Sequence, residues 1–208
     1  MRATERPKAE ILPIADMTSS QLLRRSRIIE AVIALIGEVG ADAVQMRDVA
    51  QRSGVALGTV YRYFNSKERL LAAALEDWQK RLTRRVMTRG GPTGDGPLPA
   101  VLDYLQRAQR AFHRNPRMTA LMLEAMTSTD PETKTGIDHM RRTNVELFDR
   151  LLEGIPQERV ADVNFGVNAA LTSALMAVLT GGLALDEALQ RVEWVARTLI
   201  GSVADHET

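Results

Sequence analysis

Residues 46–64 read MRDVAQRSGVALGTVYRYF, and this stretch predicts two short helices joined by a sharp turn. Ala50 is small enough for the helices to approach closely, and Gly54, four positions later, can adopt the positive φ that such a turn needs. Three apolar residues at the matching spacing would anchor both helices on an earlier one: Val49, Val55 and Val60. The pattern is that of a helix-turn-helix, whose second helix enters the major groove of DNA.

The residues on either side of this stretch extend the helical pattern. Over residues 20–39 apolar side chains recur at helical spacing, and Gly40 is placed to end that helix. Residues 65–68, Asn-Ser-Lys-Glu, are typical of a capping box that places Glu68 at the third position of the next helix. That helix is predicted to continue to about Met87.

The remainder of the chain is predicted to contain helices only. Residues 1–19 form a loose polar arm, and a stretch rich in glycine and proline at residues 88–99 predicts a linker. No segment alternates apolar and polar residues for long enough to form a strand, so the chain is predicted to be all-α. The helices predicted after the linker span residues 99–114, 117–128, 132–153, 157–180 and 184–202.

Composition excludes several classes of protein. The 208 residues are 45% apolar and 25% charged, which excludes a chain that is disordered throughout. The absence of cysteine excludes disulfides, thiolate metal ligands and cysteine nucleophiles, and it suits a reducing cytoplasm. Residues 1–67 carry 10 Lys and Arg against 7 Asp and Glu, and the rest carries 17 against 19. This asymmetry is mild, so charge alone does not indicate nucleic acid.

The sequence predicts neither an enzyme nor a metal site. His113 and His139 stand 26 positions apart, and neither has an acidic partner at helical spacing. The chain has no Gly-x-Ser-x-Gly motif and no glycine-rich loop that would cradle a phosphate. We therefore expect no cofactor, and a binding function rather than catalysis.

One family resemblance is specific. Residues 55–70, VALGTVYRYFNSKERL, resemble the TetR family of bacterial repressors, and the match in order and spacing runs over about residues 22–70. The resemblance implies a homodimer with an N-terminal three-helix DNA-binding domain, here residues 20–67. It also implies a C-terminal helical domain, residues 68–208, that dimerises and binds a small molecule.

Within the family, three segments are similar to the repressors of steroid catabolism in actinobacteria. They are AVQMRDVA at residues 43–50, VYRYF at residues 60–64 and Arg-Asn-Pro at residues 114–116. Those repressors respond to acyl-CoA thioesters of sterol degradation. The resemblance therefore implies a steroid-derived acyl-CoA as one class of effector.

The resemblance also assigns residues that contact DNA. The Thr59 hydroxyl can bond a phosphate or a base edge, and Arg62 can reach a guanine or a phosphate. Tyr63 fits either a DNA contact or a structural role, and Lys67 is similar to a lysine that binds phosphate at a helix N-terminus. A basic arm consisting of Arg24, Arg25 and Arg27 is a further candidate, with the alternative that these arginines are only solvated surface residues. The predicted DNA-contacting set is Gln45, Arg47, Leu57, Gly58, Thr59, Tyr61, Arg62, Tyr63 and Lys67.

A methionine-rich stripe in the C-terminal half predicts an effector pocket, although such a stripe also fits ordinary core packing. The predicted pocket residues are Phe112, Met118, Leu121, Met122 and Met126. For dimerisation, residues 170–179 and the last helix are the candidates, with the alternative that their apolar stripes belong to the monomer core. The stripe of the last helix consists of Val192, Val195, Leu199 and Ile200.

One stretch raises the question of a membrane. Residues 165–185 run for 21 positions without a charge, but polar residues and the pair Gly181-Gly182 interrupt them, which favours a buried helix. No apolar run follows the basic residues near the N-terminus, so no signal peptide is predicted. The preferred hypothesis is a cytoplasmic repressor that an apolar small molecule releases from a palindromic operator. The alternatives are an activator or DNA binder without an effector, and a helical protein that binds a membrane or a partner.

Overall fold

The computed structural model of the chain describes residues 13–87 and 96–204. Most of the predicted polar arm lies outside the described residues, and its described end contains a 3-10 turn at Ile14–Asp16. The predicted linker likewise lies outside them up to residue 95, and its last residues already belong to a helix that begins at Pro97.

Every other regular element in the described ranges is an α-helix, which confirms the all-α prediction. The predicted helix ends agree with the observed ones to within three residues. The helices are α1 (Ser19–Val39), α2 (Met46–Ser53), α3 (Leu57–Tyr63), α4 (Lys67–Met87), α5 (Pro97–His113), α6 (Pro116–Ala125), α7 (Pro131–Leu151), α8 (Gln157–Leu179) and α9 (Leu185–Ala204).

Side-chain caps occur at the starts of α1 and α4, and the one at α4 differs from the predicted capping. A capping box occurs at α1, where the Thr18 side chain accepts from the Gln21 N–H and the Gln21 side chain accepts from the Thr18 N–H. At α4 the cap is Ser66, whose Oγ accepts from the Arg69 N–H at 3.1 Å. The predicted box with Glu68 at the third position is therefore wrong by one residue, because Arg69 stands at that position.

The first three helices share one small apolar core. Val49 and Val60 are completely buried, and Val55 is 7% exposed, so the three predicted anchors hold α2 and α3 in place. Burial of apolar side chains of this size stabilises such a domain by about 1.5–3 kcal/mol each. The matching side chains of α1 are Ile28, Val32 and Ile36.

Helix α4 joins the two halves of the chain. It packs on α1 on one side and on α5, α6 and α7 on the other. Helices α8 and α9 form a hairpin against α5. The two helices approach closely at Gly166, which has no side chain, and a Cβ there would lie only 2.6 Å from Leu199 Cδ1. The division between residues 67 and 68 stays a prediction, since α4 contacts helices on both sides of it.

The uncharged run at residues 165–185 is not one continuous helix. Helix α8 ends at Leu179, and Gly181 takes a φ of +74° in the turn that follows. By length and composition α8 itself could cross a membrane, but it begins with the charged residues Glu158, Arg159 and Asp162 and packs along α9. In the single chain 28% of the apolar window of α8 is buried, so the run expected to form a buried helix is buried on one face only.

Candidate functional site

The turn between α2 and α3 depends on Gly54. This residue has a φ of +65°, a conformation that costs an L-residue about 1–2 kcal/mol. Its N–H donates to the carbonyls of Ala50 and Gln51, and the Val55 N–H donates to the Ala50 carbonyl at 3.1 Å. These bonds satisfy the free carbonyls at the end of α2 and set the direction in which α3 leaves.

Helix α3 presents one face to solvent. Leu57 and Tyr61 are 42% and 46% exposed, while Val60 on the opposite side is completely buried. A large apolar side chain and a phenol held outward on a short helix are available to touch another molecule. The exposed residues, called the α3 face below, are Leu57, Gly58, Tyr61 and Arg62, with Thr59 half-buried at its edge.

Tyr63 does not belong to the α3 face. It is 6% exposed, and it packs with Phe64 in the same core as Val60. Its predicted contact with DNA is therefore corrected to the structural role that was its alternative. The physical reason is the helical spacing, since residues 60 and 63 stand three positions apart and fall on one side of α3.

The other predicted contact residues flank α3. Gln45 and Arg47 are exposed at the start of α2, and the Arg47 side chain lies 3.5 Å from the Asp48 carboxylate. Lys67 begins α4, and its Nζ donates to the main-chain carbonyl of Asp42 at 2.6 Å. Lys67 therefore ties α4 to the loop between α1 and α2, and its two other protons point away from that bond.

The predicted basic arm is only partly at the surface. Arg27 is exposed, whereas the Arg25 guanidinium lies over the Phe64 ring, 5.2 Å from its centroid. Burial lowers the pKa of Arg25, and the carboxylates of Glu76 and Asp77 oppose that effect. Arg25 therefore faces α4 rather than solvent, which removes it from the predicted arm.

An ion pair fixes the far end of the helix-turn-helix. Arg52 donates through both terminal nitrogens to the two Glu38 carboxylate oxygens, each at 2.6 Å. These hydrogen bonds lower the pKa of Glu38. The pair joins the end of α2 to the end of α1, and its parallel geometry constrains the angle between them.

The comparisons with known proteins match both halves of the chain. Residues 28–74 match the family model of bacterial regulatory proteins of the tetR family. Residues 94–199 match the model of the tetracycline repressor-like C-terminal domain. The chain belongs to the TetR family. The predicted resemblance is thereby confirmed, and so is the helix-turn-helix.

Individual TetR relatives match over nearly the full length. The transcriptional repressor KstR of Mycolicibacterium smegmatis is 32% identical over 186 residues, which cover 89% of this chain and 91% of that protein. The KstR of Rhodococcus jostii is 34% identical, with 88% and 86% covered. A solved TetR regulator from Rhodococcus sp. RHA1 superposes with a TM-score of 0.73 at 27% identity, covering 89% of this chain and 99% of that one. The chain is a DNA-binding transcriptional regulator.

The C-terminal half of this TetR chain contains a mostly apolar cavity of about 150 Å³ between α5, α6, α8 and α9, called the α5–α9 cavity. Phe112, Leu175, Val178 and Leu185 are among its lining residues. A second cavity of about 170 Å³ lies between α4, α6 and α7 and is called the α4–α7 cavity. Leu121 lines the second cavity, together with the carboxylates Glu68, Glu76, Glu124 and Asp130.

The predicted methionine pocket is corrected by this arrangement. Met118 and Met122 are 3% and 6% exposed and belong to the core, and Met126 packs against that core. None of these methionines lines either cavity, so the stripe serves core packing, as its alternative stated. Of the predicted pocket residues, Phe112 and Leu121 remain, one in each cavity.

Gln109 is a cavity residue that sequence reasoning missed. It lines the α5–α9 cavity and is 1% exposed. The sequence could have revealed it, because α5 carries apolar residues at 101, 104, 105, 108 and 112, and Gln109 falls on the same face of the helix. A polar side chain at a core position indicates a special role more strongly than an apolar stripe does.

Another exposed surface lies on the α8–α9 hairpin. Phe165 is 78% exposed, Met176 53% and Trp194 68%, and Ala169 is exposed between the first two. These four residues form the α8–α9 patch. Phe165, Ala169 and Met176 share one face of α8 by their spacing, and Trp194 is exposed on the helix that packs along α8, which marks an interaction surface.

The predicted dimer residues on α9 are partly corrected. Val192 and Ile200 are 1% and 3% exposed, so they belong to the monomer core, and Val195 and Leu199 are half-buried. The hydrophobic spacing of α9 identified the side that packs inward. Trp194 stands on the opposite side, where an isolated tryptophan gives no periodic signal.

Arg117 links the two halves of the chain. It stands in the first turn of α6 and donates to the main-chain carbonyls of Gly37, at 2.8 Å, and Glu38 at the end of α1. A cation at a helix C-terminus also interacts favourably with the helix dipole. Pro116, its neighbour, lines the α5–α9 cavity. The wall of that cavity is thus directly connected to the helix that supports α2.

Proposed function

We propose that this chain is a cytoplasmic repressor that binds a palindromic operator as a homodimer and leaves it when an apolar small molecule occupies the C-terminal half. The observation that carries the proposal is the α3 face, exposed on a helix-turn-helix whose opposite side is buried. In a dimer, two such faces would enter successive major grooves about 34 Å apart.

The proposed DNA contacts divide into two classes. Residues of the α3 face reach base edges, with Arg62 donating to guanine and Tyr61 and Thr59 contacting a base or the nearest phosphate. Gln45, Arg47 and Lys67 bind the phosphates on either side and fix the position of α3. Leu57 and Gly58 lie at the leading end of α3, where one offers an apolar contact and the other a close approach of the main chain.

The proposed dimer forms through the α8–α9 patch. Two copies of the α8–α9 hairpin would make a four-helix interface that covers the exposed Trp194 and Phe165. A single helix-turn-helix makes few contacts with DNA, so joining two of them provides most of the useful affinity.

Effector binding is proposed to act through α6. A cavity of about 150 Å³ holds one ring of benzene size, so a larger apolar molecule must separate α5 and α6 from α8 and α9. Movement of α6 would shift Arg117 and, with it, the end of α1. Effector and operator must then weaken each other's binding by the same factor.

The α5–α9 cavity also favours one class of effector. The stretch around its exposed residue His113 carries exposed basic side chains at Arg110 and Arg114. A steroid-derived acyl-CoA, the class that the KstR-like resemblance implied, would place its apolar group in the cavity and its phosphates on these arginines. The four carboxylates of the α4–α7 cavity would repel such an anion.

The proposal is tested by fluorescence anisotropy with DNA from the region that flanks the gene encoding the chain, across a range of salt concentrations. We expect dimers to bind selectively and steroid acyl-CoA thioesters to release the DNA. Selective binding that no thioester changes would favour the effector-independent alternative. Failure to select any sequence from a random DNA library would overturn the repressor function itself.

Two alanine variants separate base reading from phosphate binding. Arg62→Ala is expected to relax the preference at one base pair of each half-site and to cost about 1–3 kcal/mol of specific binding. Lys67→Ala is expected to weaken binding to all DNA sequences alike. It should also lower the slope of log affinity against log salt concentration by about one unit for each phosphate that the variant no longer binds. Both are measured by anisotropy on operator and random DNA.

The matched control for these variants is Arg150→Ala, which removes the same charge from an exposed position on α7. It should leave both the preference and the salt slope unchanged. If Arg62→Ala weakened operator and random DNA equally, the base-reading role of Arg62 would be wrong.

A further inference from the structure

The side chain of Gln109 is only half satisfied. Its Nε2 donates to the Leu105 carbonyl at 3.3 Å, and this bond identifies which amide atom is the nitrogen. Across the part of the chain that the structure describes, no hydrogen-bond donor reaches Gln109 Oε1, which is buried. A buried acceptor without a partner destabilises the fold, whereas leucine at this position would not.

The surroundings of Gln109 define what could satisfy it. The side chain lines the α5–α9 cavity, whose other walls are largely the apolar side chains of Phe112, Leu175 and Val178. The Thr119 hydroxyl, which also lines the cavity, already donates to the Phe112 carbonyl at 2.9 Å. Gln109 Oε1 is therefore a buried hydrogen-bond acceptor without a protein donor, on a residue that lines a mostly apolar cavity.

We propose that the α5–α9 cavity binds a neutral, ring-containing apolar group that carries a hydroxyl, and that this hydroxyl donates its proton to Gln109 Oε1. The volume of about 150 Å³ matches a single ring without movement of the helices. An anion would face the partial negative charge of Oε1, and a buried cation would lack a counter-charge among the cavity-lining residues.

This inference rests on the proposed function, because it specifies the chemistry of the effector's buried end. Unlike that function, it requires only that the cavity binds its ligand, and not that the protein binds DNA. The binding of a small ring that carries a hydroxyl can be measured on the full-length protein without any DNA.

The experiment compares phenol with toluene, which has the same ring and no hydroxyl, by isothermal titration calorimetry on the wild-type chain. Gln109→Leu removes the acceptor and keeps the volume of the side chain. We expect it to weaken phenol binding by roughly five- to tenfold, the effect of one buried hydrogen bond. Toluene should bind the variant at least as tightly as it binds the wild type.

Two phenylalanine variants identify the cavity. Val178→Phe places a ring at a half-buried position of the α5–α9 cavity and should abolish phenol binding. Met140→Phe makes a comparable change in the α4–α7 cavity and should leave phenol binding unchanged. This pair of variants keeps the inference testable even if Gln109→Leu does not fold.

Three results would overturn the inference. They are the absence of phenol binding, an unchanged ratio of phenol to toluene affinity in Gln109→Leu, and loss of binding in Met140→Phe rather than Val178→Phe. Operator binding measured on the same preparations separates the two proposals. Selective operator binding without phenol binding removes this inference alone, and phenol binding without operator binding removes the repressor function alone.

Discussion

Replacing Trp194 by glutamate is expected to separate the dimer into folded monomers and to weaken operator binding by about 10²–10⁴-fold. Trp194 is 68% exposed in the chain on its own, so a charge there is harmless to the monomer. In the proposed dimer the same charge would be buried without a partner, which costs several kcal/mol. Loss of the dimer leaves each helix-turn-helix to bind alone. Light scattering after size exclusion reports the mass, and anisotropy reports the affinity.

The control for this variant is Val145→Glu. Val145 is 47% exposed on α7 and is not one of the four residues of the α8–α9 patch, and the same new charge is expected to change neither the mass nor the affinity. A Trp194→Glu protein that stays dimeric and keeps its operator affinity would show that the dimer uses another surface. Equal loss in both variants would indicate a general effect of added negative charge on DNA binding.

The second prediction concerns stability in alkaline solution. Tyr104 is buried and packs edge-on against Phe148, with ring centroids 5.6 Å apart. Burial raises the pKa of Tyr104 to about 12, while an unfolded tyrosine titrates near pH 10. Below pH 10 both states hold the proton, so this contribution to stability is complete. As the pH rises from about 10 through 12, the unfolded state loses its proton first and stability falls.

The expected loss approaches about 2.7 kcal/mol in the free energy of unfolding, with most of it reached by pH 12. Urea denaturation of the wild type and Tyr104→Phe between pH 8 and pH 12 measures it. The lysines and arginines titrate alike in both proteins, so the difference between the two curves isolates Tyr104. A difference that stays constant across this range would mean that the phenol ionises in the folded protein as readily as in the unfolded chain.

The helix-turn-helix could be predicted from the sequence because its determinants are local. Gly54 permits a backbone conformation that other residues avoid, and Val49, Val55 and Val60 are buried at the short spacing that the motif requires. Tyr63 was assigned to DNA through resemblance, although its spacing from Val60 already placed it on the buried side. Helical geometry was the better guide at that position.

The C-terminal half was less predictable, because a stripe of apolar residues does not reveal what covers it. Met118 and Met122 share one face of α6, and only the packing of neighbouring helices decides whether that face meets a cavity or the core. The same ambiguity affected Val192 on α9. Gln109 and Trp194 break the pattern of their helices, and the structure places the first at the α5–α9 cavity and the second in the α8–α9 patch.

Arg117 has a consequence for building hybrid sensors. Its acceptors are main-chain carbonyls of Gly37 and Glu38, which any amino-acid sequence supplies if the helix ends in the same place. By contrast, Arg81 on α4 reaches α1 through the Glu30 side chain at 3.4 Å, and a foreign helix would not supply that carboxylate. The Arg117 contact should therefore form with an exchanged first helix as well. A hybrid regulator assembled by exchanging α1–α3 should keep the proposed effector response as long as the grafted first helix retains the 21-residue length of α1.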